Sequence, residues 1–324
     1  MSIELRHLRY FLAVADTLHF GQAAERLGMS QPPLSQQIRQ LEDLIGARLF
    51  VRSHRRVQLT PAGELLQERA RAIVQQVEAA VDEVQRAQRG EQGELHIGLT
   101  RATPLSPQIP RSILHYRQQY PQVRLQLSEM NTLQQIDALL DGSLDVGIIR
   151  KRALPPELVA HSLFVDPLAL IVHADHPALR RLSKQGTLSL RDFAQEPFVA
   201  FRRSAGAGIH DHMIALCAAA GFTPRIVQEA GEASTLISLA AAGLGAAILP
   251  SSCDHIRVEG SRFVALADAG AHSEVQLAWH RERVTPLIRN FATLLREAFA
   301  GRVDCWSTIA LSAGFSRSDG RAVD

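Results

Sequence analysis

Apolar residues near the start of the chain recur at helical spacing. Leu5, Leu8, Phe11, Leu12 and Ala15 share one helical face, and Ala23, Ala24 and Leu27 share a second. The small alanines let two helices approach closely. Gly28 is placed to end the second helix in a left-handed turn. Ser30 is positioned as the N-cap of a third helix. Pro32 and Pro33 are tolerated there, because first-turn N–H groups have no intrahelical acceptor. Leu34, Ile38 and Leu41 then face inward and Gly46 ends the helix. Gln31, Ser35, Gln36 and Arg39 face outward, with Pro32 and Pro33 at the tip. Two short helices joined by a tight turn, the second with hydrogen-bonding side chains outside, suit a DNA major groove.

Two short apolar runs then flank a basic turn between Arg48 and Thr60. The pattern predicts a β-hairpin wing, with Arg52, Arg55 and Arg56 placed to touch phosphate or the minor groove. The alternative is a solvated arginine-rich loop. Thr60-Pro61 caps a further helix in which Leu66, Ile73, Val77, Ala80 and Val84 repeat at spacings of seven, four, three and four. Such a seam on one long helix, ending near Arg89-Gly90, predicts a coiled-coil partner in a second copy of the chain. Dimerisation would set two reading helices on two half-sites. The seam could instead pack on its own chain.

After Gly93 the period changes. Short β runs are expected at 95–99, 123–127, 146–149, 168–172, 198–201, 246–249 and 275–279. Helical stretches lie between them at 108–120, 133–141, 208–220, 233–242 and 286–299. This is an α/β order. Open α/β sheets bind ligands beyond strand C-termini, where helix N-termini offer free N–H groups to anions. The candidate strand ends hold Thr100, Arg101, Ala102 and Thr103; Thr132; and Arg202, Arg203, Ser204 and Ile209. Hydroxyls beside arginines and glycines suit a carboxylate. Taken singly, Thr132 also reads as an ordinary N-cap, Thr103 as a turn residue and Arg202-Arg203 as a solvated pair.

Composition narrows the classes. The chain has 324 residues, 46% hydrophobic, and a net charge of +2. That is enough for two or three cored domains and excludes global disorder. Residues 1–60 carry eight arginines against five acids, +3, so the basic charge gathers on the first module. Cys217, Cys253 and Cys305 form no CxxC pair, which fits a reducing cytoplasm. No signal peptide is evident, and the longest apolar run, Leu236 to Pro250, is too short to span a bilayer.

Enzymatic readings find little support. His210 and His212 stand two apart on a helix and point to different faces, so a shared metal is not expected. No Gly-x-Ser-x-Gly elbow occurs, and Gly206-x-Gly208 and Gly243-x-Gly245 lack the third glycine of a dinucleotide loop. A fused pyridoxal-phosphate domain needs a Schiff-base lysine, and neither Lys151 nor Lys184 has suitable surroundings. No catalytic residue, metal or cofactor is expected. A constitutive architectural DNA binder remains an alternative, although it has no use for a ligand cleft.

Several motifs together resemble the LysR-type transcriptional regulators. They are Ala23-Ala24-x-x-Leu27, Ser30-Gln31-Pro32-Pro33-Leu34-Ser35, Ile38-x-x-Leu41-Glu42, Gly46-x-x-Leu49-Phe50-x-Arg52 and Leu59-Thr60-x-Ala62-Gly63. The resemblance implies that Gln31, Pro32, Pro33, Ser35, Gln36 and Arg39 read DNA, helped by wing residues Arg52, Arg55 and Arg56. Gln36 stands where some relatives carry Arg; glutamine favours adenine rather than guanine. From about Gly93 to Ala300 the chain is similar to the family's effector domain, through Gly142-x-Leu144-Asp145-Val146-Gly147-Ile148, His173-Ala174-Asp175-His176-Pro177 and Ala242-Gly243-x-Gly245-x-x-x-Leu249-Pro250. It looks most like the activators of benzoate and catechol degradation, on Glu129-Met130-x-Thr132 and Val172-His173-Ala174-x-His176-Pro177. That implies a small aromatic or dicarboxylic acid effector near Thr100 to Thr103, Thr132 and Arg202 to Ile209. Arg-Arg-Ser-Ala-Gly replaces a proline-rich loop here, and Thr100-Arg101 adds bulk and charge. Some of these activators have a second aromatic-acid site. Arg150 matches one of its arginines but Phe164 replaces another, so no second site is expected.

The resulting expectation is an α+β multidomain chain with a winged helix-turn-helix over 1–60 and a dimerising linker helix over 61–90. A two-lobed α/β periplasmic-binding-protein-like domain follows over 91–301, with lobe I about 91–163 and 267–301 and lobe II about 164–266. Residues 302–324 are expected to be a disordered tail. The expected partners are double-stranded DNA, a small carboxylate or aromatic-acid effector, further copies of the chain as a dimer and tetramer, and, indirectly, RNA polymerase. No membrane partner and a cytoplasmic setting complete the expectation.

Overall fold

The computed structural model describes residues 2–53 and 56–300, with backbone alone for 52, 53 and 205–207. Residues 54, 55 and 301–324, which include Arg55 and the expected tail, lie outside the described part. The chain divides into two compact units, one ending at Gln88 and the other beginning at Arg89.

The first unit holds helices α1 (Leu5–Thr17), α2 (Phe20–Arg26) and α3 (Gln31–Ile45), strands β1 (Phe50–Ser53) and β2 (Arg56–Leu59), and helix α4 (Pro61–Gln88). Its core gathers Phe11, Val14, Ala23, Ala24, Leu34, Ile38 and Leu41, with Leu49, Phe50 and Ala70 from the wing and α4. Phe50 carries the wing into that core, its ring 5.4 Å from Phe11 and 5.8 Å from Phe20. Gly46 ends α3 at φ +75°, a conformation that a Cβ disfavours. β1 and β2 pair antiparallel, Phe50 opposite Leu59. Ser30 precedes α3 but makes no side-chain cap hydrogen bond. Thr60 Oγ1 does cap α4, accepting from Gly63 N at 3.0 Å.

The second unit contains β3 (Gln92–Leu99), α5 (Gln108–Gln119), β4 (Gln122–Glu129), α6 (Thr132–Asp141), β5 (Val146–Arg150) and the long β6 (Leu158–His173). β7 (Thr187–Leu188), β8 (Pro197–Phe201), α7 (Arg203–Ala219), β9 (Arg225–Ala230), α8 (Ala233–Ala241), β10 (Ala247–Pro250) and β11 (Ser261–Leu266) follow. β12 (His272–His280) and α9 (Pro286–Phe299) close it. The main sheet runs β4-β3-β5-β12-β6-β11-β7, with β10 also on β6; β8 and β9 form a separate parallel pair. β12 thus inserts between β5 and β6.

The two largest hydrophobic clusters of this unit mark two lobes. One joins Leu95, Ile97, Tyr116, Val146, Ile148 and Leu277 to Phe291 and Leu295 of α9. The other joins Leu168, Leu170, Phe193, Phe198, Met213, Leu216 and Ile248. β6 serves both: Leu158 to Pro167 pair with β12, and Leu168 to His173 pair with β10 and β11. Its first half was not expected from the sequence, and neither were β7, β9 and β11. β9 (RIVQEA) pairs only with β8 and is mostly exposed, so it shows no apolar alternation. α7 starts at Arg203, five residues before the expected 208, because its first turn carries little apolar signal.

Candidate functional site: a reading helix and an inter-lobe cleft

On α3, burial of Leu34, Ile38 and Leu41 turns the opposite face to solvent. Gln31, Pro32, Pro33, Gln36 and Arg39 are exposed there, and Ser35 is half-buried. Arg56 is exposed on β2; of Arg52, in β1, only the backbone is described. Glu42 is a residue whose role the sequence reading missed. It is 3% exposed and accepts hydrogen bonds from Leu49 N at 2.8 Å, Phe50 N at 3.2 Å and Arg48 Nη1 at 3.2 Å. A buried carboxylate holding two backbone N–H groups fixes the wing to the C-terminal turn of α3. The signal was an acid immediately after the core residue Leu41.

On α4, Ile73, Val77, Ala80 and Val84 are exposed, as are Leu65 and Val81. Leu66 departs from the expected seam. It is half-buried against the winged-helix core, because α4 lies beside α1 over its first turns.

In the second unit a cavity of about 260 Å³ opens between the two lobes. Its lining includes Thr100, Arg101 and Ala102 after β3, Glu129 to Gln134 around the start of α6, Arg150 at the end of β5 and Arg152 beyond it, and Phe201, Ser204 and Ile209 of the second lobe. Six of the nine residues expected to hold an effector are there: Thr100, Arg101, Ala102, Thr132, Ser204 and Ile209. Three are not. Thr103 is buried beneath the turn, its hydroxyl donating to Thr100 O at 2.9 Å. Arg202 precedes α7 with its side chain exposed, and Arg203 turns along the helix to Asp211, 3.0 Å away. Arg203 follows the helix surface because α7 begins earlier than the sequence suggested.

Local chemistry explains the floor of the cavity. Asn131 caps α6 by accepting from Gln134 N at 3.0 Å, and Gln134 Oε1 accepts from Asn131 N at 3.0 Å. Thr132 is therefore not the N-cap; its Oγ1 accepts from Arg150 N at 3.2 Å. Gln135, fully buried, donates to Met130 O at 3.0 Å. It fits only because Gly98 and Gly147 lack side chains: a Cβ at either would come within 2.8 Å of Gln135 Oε1.

Arg150 is 6% exposed and is the charged group deepest in the cavity wall. Its Nη2 donates to Asp166 Oδ2 at 2.9 Å, and Asp166 also accepts from Ser252 Oγ at 3.0 Å. Its Nη1 is buried and has no hydrogen-bond partner. A buried guanidinium N–H without an acceptor is costly. Phe164 stacks on Phe299 at 5.1 Å and packs against the first lobe's core. Burial, and next the Asp166 charge, push the Cys253 thiol up to about 12, while burial and then Asp268 push Cys217 up to about 11. Neither supplies a thiolate nucleophile near pH 7. Among the described residues no group of three His, Cys, Asp or Glu could hold a metal ion, and no helix is long and apolar enough to cross a membrane.

Comparison with known proteins brings both halves together. Residues 5–64 match the bacterial regulatory helix-turn-helix protein, lysR family, and residues 88–300 match the LysR substrate binding domain. The chain is 44% identical over 301 residues to the uncharacterized HTH-type transcriptional regulator YnfL of Escherichia coli (strain K12), covering 92% of this chain and 99% of that one. It is 36% identical to the HTH-type transcriptional regulator CatR of Pseudomonas putida, covering 91% and 99% respectively. Full-length CbnR, solved in complex with its target DNA, superposes with a TM-score of 0.76 at 28% identity, covering 91% of this chain and 99% of that one. These relatives are regulators, not enzymes.

Proposed function

The chain belongs to the LysR family of DNA-binding transcriptional regulators, and on that premise we propose that it is a ligand-responsive activator. Its effector is a small carboxylate or aromatic acid held between the lobes. The single observation that carries this reading is the cavity of about 260 Å³, whose lining brings Thr100, Arg101, Thr132 and Arg150 together. Thr100 and the α6 N-terminus add hydroxyl and N–H donors on the same wall. Arg150 thus joins Thr100, Arg101, Ala102, Thr132, Ser204 and Ile209 as an effector residue.

Gln31, Pro32, Pro33, Ser35, Gln36 and Arg39 read the operator, with Arg52, Arg55 and Arg56 on its backbone or minor groove. Ile73, Val77, Ala80 and Val84, with Val81, form the seam of a dimer, whose two winged helices grip an imperfect palindrome. Two dimers make a cytoplasmic tetramer. Effector binding shifts it between two quaternary states, alters the DNA bend and gives RNA polymerase access. Only unequal affinity for those states can drive the shift.

Thermal melting of the full chain with benzoate and muconate tests the ligand reading. A bound effector stabilises by about 2.7 kcal/mol at a hundredfold excess over Kd, which raises Tm. A flat response to both acids overturns the effector class. Footprints of identical extent and bend, with and without a bound effector, overturn the quaternary mechanism.

A further inference from the structure

The mouth of the cleft is bridged in two places. Arg101, in the turn after β3, reaches across to the second lobe: its Nη1 donates to Gly231 O at 2.6 Å and lies 3.1 Å from Glu232 Oε1. Asn131, at the start of α6, donates from Nδ2 to Ser204 O in the first turn of α7 at 3.2 Å. The turn that carries Arg101 also lays Ala102 and Leu105, partly buried, on the second lobe's Leu236 cluster. Arg101 therefore fixes the polar edge of an inter-lobe contact. Glu232 stands at the N-cap of α8 yet makes no side-chain cap hydrogen bond. Its carboxylate is committed to Arg101 instead of to its own helix.

We propose that Arg101 is a latch residue, and that ligand enters and leaves the cleft by breaking its pair with Glu232. The inference rests on the cleft being the effector site. Both side chains are about half exposed, at 45% and 55%. Such a pair is weak and screened by salt, so it opens and recloses on thermal fluctuation rather than locking the lobes. Arg101 also lines the cavity, so an entering anion competes with Glu232 for the same guanidinium. Opening the latch and meeting the ligand thus become one exchange of partners.

Amide hydrogen exchange on the full-length protein, without ligand, tests the latch. R101A and E232Q should each raise exchange at 131–135 and 232–236 by about 1.4- to fivefold, the range of an exposed ion pair. The double variant should add nothing further, and α9 should stay unchanged. Sodium chloride at about 0.5 M should reproduce the effect in the parent chain. Unchanged exchange at these segments, or additive effects in the double variant, overturns the latch. If R101A exchanges faster throughout, through lost folding, the surface-exposed E232Q decides. Benzoate titration of the parent chain is a separate arm. A flat titration there removes the carboxylate reading and leaves the latch to the ligand-free exchange result.

Discussion

On the winged helix, the side chains proposed to meet DNA lie within one short stretch of α3, from Gln31 to Arg39, on the face opposite its buried residues. The cleft draws its lining from segments as far apart as Thr100 and Pro250, and its deepest charge is almost wholly covered. One unit displays donors and acceptors on a rigid rod for a partner that brings its own shape. The other holds in its wall a buried guanidinium paired with Asp166. An exposed polar face carries no desolvation cost in the free protein, whereas a buried guanidinium stands only while its partners hold.

The sharpest way to break this contrast is Arg150→Met. It leaves Asp166, 4% exposed, buried without its cation, and should cost about 3–5 kcal/mol in urea denaturation of the effector unit. Arg150→Met with Asp166→Leu should regain most of that loss. A single-variant loss near zero would mean that Ser251 and Ser252 alone satisfy Asp166. Next comes Glu42→Ala, which orphans the Leu49 and Phe50 N–H groups and should destabilise the winged helix by about 2–3 kcal/mol. Its effect should be confined to the first unit's melting transition.

Substitutions on the reading surface should act on binding and spare stability. Gln36→Ala should lose about 1–3 kcal/mol of discrimination at one base pair, read from competition with operator variants. Arg52→Ala should weaken all sequences alike and reduce the salt slope by about 1. A base-specific effect from Arg52→Ala would move the wing from backbone contact to sequence reading. The smallest effect concerns the cysteines. In a full-length C305S chain, a thiol reagent at pH 7 should leave native Cys217 and Cys253 unmodified and react with both after denaturation. Rapid native reaction would show the second lobe opening far more than its core suggests.

The same contrast governs what could be read from sequence. Helix α3 was legible because its period, prolines and glycine stop all lie within one local stretch. The turns at Thr100 and Thr132 were legible as strand ends, although capping fell to Asn131. Arg150 was visible only as a match to a family arginine. Its place in the cavity depends on β5, β6 and the Ser251–Ser252 turn meeting, and no local pattern encodes that meeting. Arg202 and Arg203 were misplaced because a charged first turn of α7 looks the same as a loop.

β12 lies between β5 and β6, although more than a hundred residues separate it from β5 in the chain. During synthesis, the winged helix and all strands of the second lobe leave the ribosome before β12 and α9. The first lobe cannot finish its sheet until then, so β5 and β6 wait with open backbone edges exposed to mispairing. Truncation within the last thirty described residues should therefore cripple the first lobe, most of whose strands are made early, more than the second lobe, all of whose strands precede the cut.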